Sequence, residues 1–212
     1  MKSIVIMGAG ELGKEVLWLI EDINKIEPTW LVLGLLDDTK KVGEIVGGYP
    51  VLGGMDHLED LYKTNDCYAV IALQNGADKA AIADKHKDFN RWASIVHPTA
   101  VIAPQSTLGA GSIVFPQVTV SVDSMIGKHS LLYIHAIICN DCKLGEFTSI
   151  MSGVSLAEHV TVGTKSYLSA GCDVYPHVTI GQNCKVAVGV TVNEDMSDGS
   201  EKKQKNGFFN KY

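Results

Sequence analysis

The sequence predicts an α/β domain followed by an all-β parallel β-helix, and three observations carry that expectation. A six-residue period runs without insertion from Ala100 to Asp195. A glycine at every eighteenth position overlays part of it. Ahead of both, strand-like and helix-like segments alternate behind a short glycine-rich loop.

The alternating part comes first in the chain. Ile4-Val5-Ile6-Met7 is a short apolar strand that leads into Gly8-Ala9-Gly10-Glu11-Leu12-Gly13. An amphipathic helix follows through Val16, Leu17, Leu19 and Ile20, then an apolar run from Trp30 to Leu36 that ends in Asp37-Asp38. A third strand is expected over 67–73, with helical segments near 55–63 and 77–87. Together these describe a Rossmann-like domain over residues 1–97. Glycines let the backbone turn tightly and bring a phosphate against a helix N-terminus, where free amides and the dipole favour it. Gly8, Gly10, Glu11, Leu12 and Gly13 are therefore candidate nucleotide-binding residues, with Asp37 and Asp38 placed where an acid meets a ribose hydroxyl. A purely structural turn is the alternative. The domain has little room for the second half of a dinucleotide site, so a nucleotide-sugar fits more easily than NAD.

In the second part, residues 98–195, the third position of each hexad is aliphatic in all sixteen, from Ile102 to Val192. The first position is always Ala, Ser, Cys, Thr or Val. Gly109, Gly127, Gly145, Gly163 and Gly181 each follow an aliphatic residue. Three hexads per turn explain both periods: each hexad is a short strand plus a corner, and coils stack about 4.8 Å apart through parallel ladder bonds. The tail, 196–212, carries Phe208, Phe209 and Tyr212 and is expected to cover an open end of the prism.

Composition narrows the partners. The chain has 212 residues, 46% hydrophobic and 20% charged, with a net charge of −6. That balance offers no basic face for nucleic acid or an anionic membrane. No apolar stretch reaches spanning length and no signal peptide precedes the first strand, so a soluble, cytoplasmic protein is expected. Five cysteines fit reduced thiols. Cys139-x2-Cys142 suggests zinc, but no second pair follows at ligand spacing, and Cys142, Cys172 and Cys184 fill the small first position on three different faces. No metal site is expected.

The two halves together resemble the NeuD/PglD group of sugar acyltransferases. The likeness runs from Ser3 to about Asp195 and rests on Met7 to Val16, Gly34-Leu35-Leu36-Asp37-Asp38, Tyr49-Pro50-Val51-Leu52-Gly53, Ile95-Val96-His97-Pro98-Thr99-Ala100 and the hexads. The resemblance implies that the β-helix is left-handed, against the usual crossover rule. It further implies a homotrimer that moves acetyl from acetyl-CoA to a sugar or nucleotide-linked amino sugar. In such proteins the first domain holds the nucleotide and the acyl site lies between neighbouring prisms.

This chemistry needs a base for the attacking amine or hydroxyl and a donor for the thioester oxyanion. The family places a His-Asp or His-Glu pair before a Cys-x-x-Gly stretch; here that stretch is Asn140-Asp141-Cys142-Lys143-Leu144-Gly145, so the acid is Asp141 and the histidine is Asn140. One coil later a glycine whose amide would face the acyl group is Glu158, and the tail lacks the usual Gly-Asn/Val-Pro-Ala ending. His129, His135, His159 and His177 share the sixth hexad position. The 18-residue period puts Asp123, Asp141, His159, His177 and Asp195 in one column, which makes His159 the candidate base, oriented by Asp141, with His135 second. The bland reading makes all four exposed corner residues, polar because corners face water. Two other functions compete with this reading. One is a non-catalytic relative that still binds a nucleotide-sugar or a partner, favoured by Asn140 and Glu158. The other is a β-helix metalloenzyme of the γ-carbonic-anhydrase type, whose ligand spacing is missing here.

Overall fold

The structure is a computed structural model that describes residues 1–204. The expected covering of a prism end by the last aromatics lies outside the described residues. In the first domain β1 (Lys2–Met7), α1 (Glu11–Ile26) and β2 (Trp30–Leu36) follow the apolar pattern closely. A hairpin of β3 (Ile45–Val46) and β4 (Tyr49–Gly53) comes next, then a 3-10 turn (Met55–His57), α2 (Leu58–Asn65), β5 (Tyr68–Ile71) and α3 (Gly76–Lys85). The sheet order is β3-β4-β2-β1-β5, parallel except for β3. The hairpin was not expected from the pattern of long apolar runs. It turns on Gly47-Gly48 with φ of 57° and 86°, the signature of a tight two-residue turn whose sense matches strand twist.

β6 (Ile95–Val96) already pairs with the β-helix, lying parallel on β9 (Ile113–Val114). Sixteen two-residue strands then recur at every sixth residue, from β7 (Val101–Ile102) to β22 (Thr191–Val192). They form three parallel sheets, here the first face (β7 to β22), the second face (β8, Thr107–Leu108, to β20, Thr179–Ile180) and the third face, which also contains β6 and β23 (Glu201–Lys202). Residue i pairs with i+18, as Met125 with Lys143 and Lys143 with Thr161. The third-position side chains are buried from Val114 onwards; Ile102 and Leu108, in the first coil, are partly open.

The small first position has a polar reason as well as a steric one. Ser124 Oγ donates to Cys139 O at 2.8 Å, Ser166 Oγ to Gly181 O at 2.8 Å, and Cys142 Sγ to Ala157 O at 3.1 Å. A short hydroxyl or thiol there bonds a carbonyl of the next coil inside a narrow core. Burial pushes the Cys142 thiol up to about 11, which makes it a poor thiolate, and no group of three His, Cys, Asp or Glu among the described residues could hold a metal.

The α/β domain docks on the third face. Ile113, Leu131 and Ser149, second-position residues that would otherwise point to water, are buried there, and one hydrophobic core runs from α1 and the sheet into the prism. Polar contacts clasp the joint. The Tyr133 hydroxyl donates to Glu15, His97 Nε2 lies 3.3 Å from Asp22, and Lys79 Nζ donates to Thr148 O (3.0 Å) and Ser149 Oγ (3.1 Å). No helix among the described residues is long and apolar enough to cross a membrane.

Candidate functional site

Two places carry the residues singled out by the sequence. At the glycine loop, Gly8 has a φ of +120°, and a Cβ there would lie 2.7 Å from Ala72 O; a Cβ on Gly13 would collide with Gly8 O. Those two glycines serve the close packing of strand, loop and helix. Gly10 differs: nothing lies within 4 Å of where its Cβ would be, and α1 begins at Glu11 with no side-chain cap. This leaves open space before a helix of sixteen residues whose first amides have no side-chain cap, a geometry suited to an anion. Leu12 is buried beneath the loop and Glu11 is exposed, paired with Lys14.

Asp37 stands at the end of β2 but faces its own chain. Its Oδ2 accepts from the Ala9 amide at 2.8 Å, and its Oδ1 accepts from Thr39 N and Thr39 Oγ1. Partial burial opposes ionisation, yet the bonds from Thr39 and Ala9 outweigh it and hold the carboxyl below its usual range. Asp38 Oδ1 accepts from Met55 N at 2.8 Å. Both acids thus brace the loop and the start of the 3-10 turn, a use that the spacing alone does not reveal.

The second place is the corner between the first and second faces. Asn140 Nδ2 donates to Asp141 Oδ2 at 2.7 Å, and the same oxygen lies 3.9 Å from His159 Nε2. The His159 and His177 rings stack at 4.7 Å with planes 8° apart. Asp195 ends the column by accepting from Thr179 N at 2.8 Å. The His159 and Asp141 side chains are 47% and 43% exposed, so water screens their attraction and the pair adds little stability to the free chain. Glu158 adjoins His159, and its carbonyl accepts from His177 N. His135 sits exposed at a different corner, in the column of Gln117 and Gly153, apart from this cluster.

One expectation needs correction. His129 is not an exposed corner residue: it is 5% exposed, its ring is parallel to Phe147 at 5.2 Å, and Trp92 meets it edge-on at 4.9 Å. The sixth position is polar for a backbone reason. Asp123, His129, His135, Asp141, Phe147, His159, Lys165, His177 and Asn183 all have φ between 54° and 63°, a left-handed conformation that Asp, Asn, His and Gly adopt most readily.

A Rossmann-like domain with an open helix N-terminus, joined to a parallel β-helix with an Asp-His column at one corner, defines a two-domain hexapeptide-repeat protein. Residues 3–86 match the PglD N-terminal domain. The chain is similar along 95% of its length to perosamine N-acetyltransferase from Caulobacter crescentus, solved with CoA and GDP-perosamine, at 27% identity, 93% coverage of that chain and a TM-score of 0.86. A histidine-to-asparagine mutant of that enzyme, also with CoA and GDP-perosamine, matches at 28% identity, the same coverages and a TM-score of 0.87. The acetyltransferase domain of PglB from Neisseria gonorrhoeae shares the fold at 23% identity, covering 95% of this chain and 96% of that one, with a TM-score of 0.86. A search of curated proteins finds no match. Residues 3–86 thus carry a PglD-type N-terminal domain, and the chain as a whole shares the two-domain fold of these sugar acetyltransferases, with a left-handed β-helix.

Proposed function

We propose that this protein transfers acetyl from acetyl-CoA to the amino or hydroxyl group of a sugar or nucleotide-linked amino sugar, with His159 as the base and Asp141 orienting it. The observation that carries the reading is the Asn140–Asp141–His159 cluster at the prism corner. The PglD-type N-terminal domain and the fold shared with perosamine N-acetyltransferase support the reaction class, and that relative, solved with CoA and GDP-perosamine, supports the two substrates. The mutant relative whose histidine became asparagine still holds both ligands, which supports binding by a chain that carries Asn140.

In the reaction, the acceptor amine or hydroxyl attacks the thioester carbonyl while His159 takes its proton. A C–N or C–O bond forms, the C–S bond breaks, and the proton passes from His159 to the departing thiolate. Asn140, which cannot accept that proton, holds the Asp141 carboxylate by its amide N–H. Exposed Val101 and Ile137 on the first face and Met125 on the second support a homotrimer, in which a neighbouring prism completes the acyl site around Glu158. The free cysteines fit a reducing, cytoplasmic setting.

The test is His159→Asn, a residue that tolerates the left-handed corner. Turnover is expected to fall about a hundredfold while acetyl-CoA and nucleotide-sugar affinities hold. Unchanged turnover would remove His159 as the base. The second reading, a non-catalytic binding protein, is favoured by Asn140 and Glu158. Wild-type protein that binds nucleotide-sugars but turns over no acceptor in a broad panel would establish it.

A further inference from the structure

A second concave site lies on the third face, above the docked domain. There the loop from β5 into α3, residues 72–75, overhangs the outer surface of the fourth and fifth coils and encloses a cleft of about 590 Å³. Its charge is unlike that of the whole chain. The net charge is −6, yet Lys165, Lys185, Lys202 and Lys203 line the cleft with Glu201 as its one acid. Lys202 pairs with Glu194 and Lys203 with Glu201. Lys165 and Lys185 have no ion-pair partner among the described residues.

Gly76, the first residue of α3, packs so closely that a Cβ there would lie 2.7 Å from Lys165 Cα, so the start of α3, capped by the Asn75 side chain, and the Lys165 corner form one wall of the cleft. Four lysines against one acid in a concave site suit an anion. The remaining lining suits a nucleoside more than a bare ion: the half-buried Tyr167 ring, which pairs across the ladder with Lys185, and the amides of Asn183 and Gln74. The volume falls within the range of small-ligand sites.

We propose that this cleft binds the diphosphate of a nucleoside diphosphate group, with Lys165 and Lys185 neutralising the phosphates. Two ligands of the proposed reaction contain that group, the nucleotide-sugar and CoA. The inference names where one of them is held and in that respect rests on the proposed function; the binding of the diphosphate itself does not need turnover.

The experiment is calorimetry on the full chain at low salt with three probes, inorganic pyrophosphate, GDP or UDP, and CoA, on wild type and the Lys165→Ala/Lys185→Ala variant. Wild type is expected to bind pyrophosphate, and the variant to lose at least about tenfold in affinity for it, with the difference shrinking as salt rises. The same loss for GDP or UDP alone assigns the cleft to the nucleotide-sugar; the same loss for CoA alone assigns it to the acyl donor. Equal affinities of the two proteins for all three probes, or no pyrophosphate binding by wild type, overturns the proposal. Because neither lysine touches the Asp141–His159 corner, a failed transfer assay with intact pyrophosphate binding would count against the transferase reading alone. A matching thermal midpoint for the variant excludes loss of fold as the cause.

Discussion

His129 shows how one backbone requirement governs residues that look functional. The corner asks for a left-handed φ, and histidine is one of the few large side chains that takes it readily, so four histidines at the sixth position need not share a role. His129 became a buried packing residue; burial, with Lys79 and Lys128 adding, pushes it down to about 4. A histidine whose folded value lies below its unfolded 6.5 leaves stability untouched above that pH and subtracts from it as pH falls toward 4. The loss amounts to about 3 kcal/mol. His129→Phe, which repeats what Phe147 does one coil on, should melt with a shallower pH dependence than wild type between those values. Parallel curves would acquit His129. The corner composition was open to reading in the sequence, and water exposure was the wrong cause to give it. His159 and Asp141 stand together by period alone, whereas the bracing roles of Asp37 and Asp38 depend on amides 28 and 17 residues away, which no local pattern marks.

At the scale of the element, the prism was legible because each coil repeats one set of physical demands sixteen hexads long. The glycines spaced by eighteen residues mark a column where successive coils touch backbone to backbone. A Cβ on Gly145 would lie 2.5 Å from Thr164 N, so Gly145→Ala must displace a coil and should cost about 3 kcal/mol. Gly153 has a φ of +65° but open space around it, and Gly153→Ala should cost only about 1 kcal/mol of backbone strain. Urea midpoints of the two variants test the ranking, and a reversed order would mean that the coils can slide apart cheaply. The β3–β4 hairpin was missed for an opposite reason. Ile45–Val46 is too short for a period, and only the Gly47-Gly48 turn announces it.

On the scale of the whole molecule, the joint between the domains was the least legible feature. Lys79 lies in an alanine-rich helix beside Asp78 and reads as a surface residue, yet docking leaves it 1% exposed. Desolvation lowers its ammonium to about 7. From there up to its ordinary 10.5 the unfolded chain holds more protons than the folded one, so this group makes stability rise with pH across that window. Lys79→Met should flatten the rise when unfolding free energy is measured from about pH 7 to 10. A slope unchanged by the substitution would show that the clasp tolerates its charge.

The unbroken run of hexads has a consequence for how such a chain can change in length. Eighteen residues added or removed shift everything beyond them by about 4.8 Å along the axis and leave its bearing unchanged. Six residues turn everything beyond them to the next face, and an odd number within a strand exchanges inside for outside. The rod is graduated: Asn140 and Glu158, or Asp141 and His159, stand one mark apart, and a gain or loss of whole coils between other marks leaves each pair facing the same way.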